Sequence, residues 1–119
     1  MRIHHIGYLV DDIENAAIQF EHLGFSRIGK STHDSSREVY ILLLDNAGIM
    51  VDLVQPTSEQ SPIYGLRKRY RNSPYHICYE TENISATINL LEKHDGGGIP
   101  YSNRQPLHLQ YQEVPMLHF

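Results

Sequence analysis

The chain opens on a short run of strand formers, His5-Ile6-Gly7-Tyr8-Leu9-Val10, that stops at Asp11-Asp12. A carboxylate just before an apolar-periodic stretch is a helix N-cap. Ile13, Ala16, Ala17, Phe20 and Leu23 then recur at i, i+3, i+4, i+7 spacing, which predicts an amphipathic helix, and Gly24 falls where a left-handed C-terminal cap is expected. A strand over 25–29 follows. Glu38-Val39-Tyr40-Ile41-Leu42-Leu43-Leu44 and Ile49-Met50-Val51-Asp52-Leu53-Val54 flank the turn-prone Asp45-Asn46-Ala47-Gly48, so they read as a hairpin. The first half is therefore β-α-β-β-β.

The same word returns 71 residues later. Tyr75-His76-Ile77-Cys78-Tyr79-Glu80-Thr81 precedes Glu82-Asn83 and then Ile84, Thr87, Ile88 and Leu91 at helical spacing. His5 meets His76, Ile6 meets Ile77, Tyr8 meets Tyr79 and Ile13 meets Ile84, and these identities agree with strand, cap and helix boundaries, so a structural duplication is the reading. Between the copies, Pro56-Thr57-Ser58-Glu59-Gln60 is a polar linker, and Ser61-Pro62 predicts the start of a short helix reaching residue 70. Gly96-Gly97-Gly98 interrupts the second copy, and weak strands are placed at 99–102 and 114–119. The expectation is one α+β domain over 1–119: module one at about 1–56, a linker helix at about 61–71, and module two at about 74–119. Two βαβββ modules would form a cupped mixed sheet, the second lacking its last strand.

At 119 residues the chain has room for one shared core. Its 40% apolar and 20% charged residues are ordinary for a globular protein, which excludes a disordered or fibrous class. A net charge of -4 gives no global attraction to nucleic acid or anionic lipid. Cys78 is the single cysteine, so no internal disulfide exists, and core packing is its expected role. The sequence carries no signal-peptide pattern and no apolar run of membrane-spanning length, so a soluble, cytoplasmic protein is expected, with no membrane and no nucleic-acid partner.

Alternate strand residues share a face, so His5, Gly7 and Leu9 point one way, and His76 takes the equivalent place in the second copy. Asp52 interrupts an apolar strand, where a carboxylate is costly unless paired or bound to a cation. Two imidazoles and a carboxylate suit a divalent transition metal with open positions. Each of the three also has a plainer reading, a hydrogen-bonded strand histidine or an edge aspartate. Arg67-Lys68-Arg69-Tyr70-Arg71 holds four of the ten basic residues. This run is either a solvated helix face or a clamp for phosphates.

The segments around His5, Asp52-Leu53-Val54-Gln55-Pro56, Ser61-Pro62-Ile63 and His76 resemble the vicinal oxygen chelate superfamily of glyoxalases, bleomycin-resistance proteins and extradiol dioxygenases. Within it they are most similar to methylmalonyl-CoA epimerase-like proteins. The resemblance implies His5, Asp52 and His76 as metal ligands for Co, Mn, Ni, Zn or Fe, with Asp52 at a position usually Glu or Gln. It also implies a fourth ligand, a Glu on a last strand, which this sequence does not supply. The implied activity is a metal-dependent isomerase, epimerase or lyase acting beside a carbonyl or thioester of an acyl substrate such as a CoA thioester. Asp52 would be the base, with Tyr40 or Glu38 as its counterpart, and Arg67, Lys68, Arg69 and Arg71 would hold the coenzyme phosphates. The alternatives are a non-catalytic module that sequesters a small ligand among Tyr8, Tyr40, Tyr75 and Tyr79, and an Fe(II) dioxygenase. A homodimer, with strand exchange as one form, is the expected assembly.

Overall fold

In the computed structural model, residues 2–66, 71–94 and 116–118 are described. The elements run β1 (Arg2–Leu9), α1 (Ile13–His22), β2 (Ser26–Asp34), β3 (Val39–Asn46), β4 (Ile49–Pro56), a 3₁₀ turn (Tyr64–Leu66), β5 (Ser73–Glu80), α2 (Ile84–His94) and β6 (Met116–His118). The class is α+β with mixed strand pairing. Two compact units emerge, one His5–Tyr75 and the other Met1–His4 with His76–Phe119. The residues expected to link two modules thus belong with the first unit up to Tyr75.

In the first unit the strand order is β2-β3-β4-β1. β2–β3 and β3–β4 pair antiparallel, and β4 pairs parallel with β1. The β3–β4 hairpin is closed by Ala47-Gly48, both at positive φ (52° and 90°), between the paired Asn46 and Ile49. Such a two-residue turn matches the right-handed twist of the strands. Asp45 Oδ1 fixes it by accepting from the Gly48 N–H at 3.1 Å.

Register sorts the side chains into two faces. Leu42, Leu44, Val51 and Leu53 pack with Val10, Ile13 and Ala17, and Tyr8, Phe20 and Phe25 close that cluster beneath α1. Tyr8 meets Phe20, and Phe20 meets Phe25, edge to face at 5.1 and 5.2 Å. Leu44 and Leu53 are 0% exposed, so each stabilises the fold by about 1.5–3 kcal/mol through burial. On the opposite face Val39, Ile41 and Val54 gather with Ile63 and Tyr75.

The helix α1 begins as its sequence predicts. Asp12 Oδ1 accepts from the Asn15 N–H at 3.0 Å, and Gln55 Oε1 on β4 takes the Ile13 N–H at 2.8 Å. It ends at Gly24, φ +98°, whose N–H donates to Glu21 O.

The second unit repeats this opening. β5 occupies Ser73–Glu80, the span that the 71-residue offset assigns to β1, and Asn83 Oδ1 accepts from the Ala86 N–H at 2.9 Å where Asp12 and Asn15 stand in the first copy. Residues 78–80 of β5 pair antiparallel with β6, and Glu80 takes an ion pair from Arg2. Cys78 is buried, as expected.

Two elements depart from the sequence expectation. β2 continues past residue 29 to Asp34 although most of its side chains are exposed. Its pairing to β3 sustains it, with a register shift between Ile28 and Thr32 where Gly29 takes φ +73°. The helix expected from Ser61 is a 3₁₀ turn at Tyr64–Leu66, and residues 67–70 lie outside the described residues. The strand placed at 99–102 also lies outside them, while the one placed at 114–119 is present as β6.

Candidate functional site

Pairing of Gly7 with Asp52 across the parallel β1–β4 ladder puts Asp52 on the side of the sheet that carries His5, Gly7 and Leu9. Pairing of Leu43 with Asp52 places Val39, Ile41 and Leu43 there too, so this is the face of the Val39–Ile41–Val54 cluster. Two polar side chains are therefore set into an apolar surface. His5 is 1% exposed and Asp52 4%, with His5 Nε2 at 3.8 Å from Asp52 Oδ2. That separation is longer than a hydrogen bond. Desolvation pushes the Asp52 carboxyl well above the usual carboxylate range, and the charge of Arg37 only partly offsets it.

The pair fits a divalent ion. Donors each about 2.1 Å from a tetrahedral cation stand about 3.4 Å apart, a few tenths short of the separation here, and imidazole nitrogen with carboxylate oxygen is a common donor combination for such metals. A cation would also relieve the cost of a dry carboxylate. Among the described residues no three His, Cys, Asp or Glu side chains gather closely enough to hold an ion, so the His5–Asp52 pair by itself does not complete a ligand set. His76 stands on β5, at the place matching His5, in the second unit.

Tyr75 borders this face. Tyr75 packs on the Val39–Ile41–Val54 cluster, and burial, reinforced by the nearby Asp52 charge, pushes its phenol up so that it stays protonated. Arg37 comes from the turn between β2 and β3, where Asp34, 2% exposed, is caged. Asp34 Oδ1 accepts from Ser36 N at 3.0 Å, Ser36 Oγ at 2.7 Å and Arg37 N at 3.3 Å, and Oδ2 accepts from Arg37 Nε at 2.6 Å. Burial would raise the Asp34 carboxyl, but the hydrogen bonds from Ser36 and Arg37 and the Arg37 charge outweigh it and hold it below its ordinary value.

The other sequence candidates are distributed elsewhere. Tyr40 alternates with Ile41 and so takes the opposite side of β3; it is 42% exposed, with its ring 5.1 Å from His33. Glu38 sits before β3 at φ +50°, and its carboxylate accepts from Ser58 Oγ. Neither is brought together with the His5–Asp52 pair. Arg71 is exposed and ion-paired to Asp11, and Arg67, Lys68 and Arg69 lie outside the described residues. Sequence reasoning missed the buried Asp34 and its cage of Ser36 and Arg37. The signal was Asp34-Ser35-Ser36, a combination that favours side-chain-capped turns.

Residues 4–105 match the Glyoxalase/Bleomycin resistance protein/Dioxygenase superfamily. The chain belongs to that superfamily. Among its curated members, the ethylmalonyl-CoA/methylmalonyl-CoA epimerase of Cereibacter sphaeroides is 30% identical over 93 residues, covering 77% of this chain and 69% of the relative. The mitochondrial methylmalonyl-CoA epimerase of Homo sapiens is 27% identical, covering 77% of this chain and 53% of its own length. The chain thus spans roughly half to two thirds of these superfamily members. In fold it is similar to methylmalonyl-CoA epimerase from Mycobacterium tuberculosis, with TM-score 0.73 at 18% identity over 89% of this chain and 72% of that one. A hypothetical protein from Bacillus halodurans superposes with TM-score 0.72 at 23% identity, covering 89% and 75%. No helix among the described residues is long and apolar enough to cross a membrane.

Proposed function

We propose that the chain is a metal-dependent epimerase-type isomerase that moves the proton on a carbon next to the carbonyl of an acyl thioester. The observation that carries this reading is the burial of His5 beside Asp52, 3.8 Å apart, on an otherwise apolar sheet face. Similarity to epimerases that act on methylmalonyl-CoA supports the thioester as substrate class.

His5 and Asp52 would hold the divalent ion, and the sequence repeat alone nominates His76 as a further ligand. When bound, the ion supplies a Lewis acid that stabilises the negative charge developing on the carbonyl oxygen as the α-proton leaves. The apolar wall of Val39, Ile41 and Val54 keeps water from the acidified carbon. Tyr75, held protonated, remains a hydrogen-bond donor at neutral pH. As an ion ligand Asp52 would be ionised, whatever burial does to its carboxyl in the ion-free protein, so the α-proton passes to a base other than the two ligands.

Incubation with methylmalonyl-CoA in deuterated buffer containing Co, Mn, Ni or Zn tests the proposal. Deuterium should enter at the α-carbon with the wild-type chain and fall by at least about 100-fold in His5→Ala, the scale expected for loss of a proton-transfer or charge-stabilising group. Thioester binding without any exchange under all four metals would establish a sequestering module instead.

A further inference from the structure

Ser61 is 5% exposed, and its Oγ is buried with no hydrogen-bond partner among the described residues. Its backbone is engaged at both ends: the N–H donates to Ser58 O at 3.1 Å, and the carbonyl accepts from Tyr64 N at 3.0 Å. A serine at the start of a helical turn ordinarily spends its hydroxyl on a backbone N–H of that turn. Asp12 and Asn83 use their side chains so at the starts of α1 and α2, at 3.0 and 2.9 Å. At Ser61 the main-chain carbonyl takes the Tyr64 N–H instead, and the hydroxyl is left over. A buried hydroxyl without a bond costs free energy, so it calls for a partner that arrives from outside the chain.

The segment that carries Ser61 is anchored on either side of it to the face of Val39, Ile41 and Val54. Ahead of Ser61, Thr57 N and Oγ1 donate to Glu38 O, each at 2.9 Å, and Ser58 Oγ donates to the Glu38 carboxylate. These bonds tie the segment to the residue before Val39. Behind Ser61, Ile63 packs on the cluster itself. A buried side chain between the two anchors is turned away from water and toward that face. Asp52 shares the face and stands two residues before Val54 on β4. An aliphatic wall bordered by one neutral hydroxyl matches a ligand arm that is mostly methylene with an occasional amide. Phosphates and carboxylates are held by charged donors instead.

We infer that the Ser61 hydroxyl donates to an amide carbonyl on the pantetheine arm of the bound thioester and so seats that arm along the Val39–Ile41–Val54 wall. This rests on the thioester reading above. In that reading the thioester carbonyl belongs to the ion at His5 and Asp52, which leaves the amides of the arm as the neutral acceptors of the same molecule. The hydroxyl adds nothing to the ligand-free fold and gains its bond only in the complex.

Removal of the hydroxyl separates a ligand contact from a structural one. In ligand-free protein, Ser61→Ala should leave the melting temperature unchanged or raise it, because no bond is lost and a buried polar atom is gone. Calorimetric titration should show propionyl-CoA binding Ser61→Ala about 3- to 10-fold more weakly than wild type, the worth of one neutral hydrogen bond. Propionyl-pantetheine, which keeps the arm without the nucleotide, should show the same ratio. The adenosine bisphosphate half of the coenzyme, which lacks the arm, should bind both proteins equally. A lower melting temperature for ligand-free Ser61→Ala reveals a partner inside the protein, a bound water included, and overturns the inference alone. Unchanged affinity for both arm-bearing ligands, or a loss shared by the adenosine bisphosphate, overturns it too. Failure of wild type to bind propionyl-CoA overturns both the inference and the proposed function.

Discussion

Asp52 is level with Gly7 on the neighbouring strand, yet its carboxylate lies 3.8 Å from the imidazole of His5, two residues further back on β1. Glycine puts no side chain between them. The two groups are therefore held by parallel strand pairing and not by any loop, and a ligand to both gains a rigid seat.

Metal should stabilise the protein through these side chains. Addition of Co, Ni or Zn to metal-stripped protein is expected to raise the melting temperature, with the shift abolished in His5→Ala and Asp52→Ala. At an ion concentration 100 times the dissociation constant the gain would be about 2.7 kcal/mol. Differential scanning fluorimetry reads it, and elemental analysis of His76→Ala shows whether the repeat-matched histidine contributes.

Asp34 makes stability depend on acid. Its folded carboxyl lies below the ordinary value, so its contribution is complete above the unfolded value of about 3.9 and is lost as pH falls through the lower folded one. Asp34→Asn should melt earlier than wild type at neutral pH. The two melting curves should converge toward the acid end of the range, and a constant difference across pH would show that packing and not charge sets it.

Ala47 occupies the first turn position of the β3–β4 hairpin at φ +52°, a conformation that Asn adopts at lower cost. Ala47→Asn is expected to stabilise the fold by about 0.5–1 kcal/mol, measured by chemical denaturation, without altering ligand binding.

Leu53 is 0% exposed between α1 and the sheet, and Leu53→Ala should cost about 2–5 kcal/mol. Because Asp52 is the adjacent residue on the opposite face, titration of metal into any Leu53→Ala protein that remains folded checks that the two faces act independently.

Most of the secondary structure and part of the site could be read from the residues. The repeat was legible because it recurs at three levels at once: strand alternation, an N-cap and helical spacing, all 71 residues apart. Asp52 stood out because a carboxylate among Val51, Leu53 and Val54 demands an explanation. The cage around Asp34 did not, since it forms only when β2 runs past Gly29. That extension carries no apolar alternation, because pairing to β3 and not burial sustains it. After Ser61-Pro62 the described part of the expected helix is a 3₁₀ turn at Tyr64–Leu66, and its remainder lies outside the described residues. Tyr40 was named for lying on the strand next to Asp52, and alternation puts it on the face opposite Ile41, where it is exposed.

The polar character of β2 has a consequence for solubility. It ends the strand order of its sheet, and a flat apolar border there would template association with other chains. A register irregularity at Gly29, with Lys30 exposed beside it, bends and charges that border instead. Crowding of many copies should therefore leave this side of the protein unjoined.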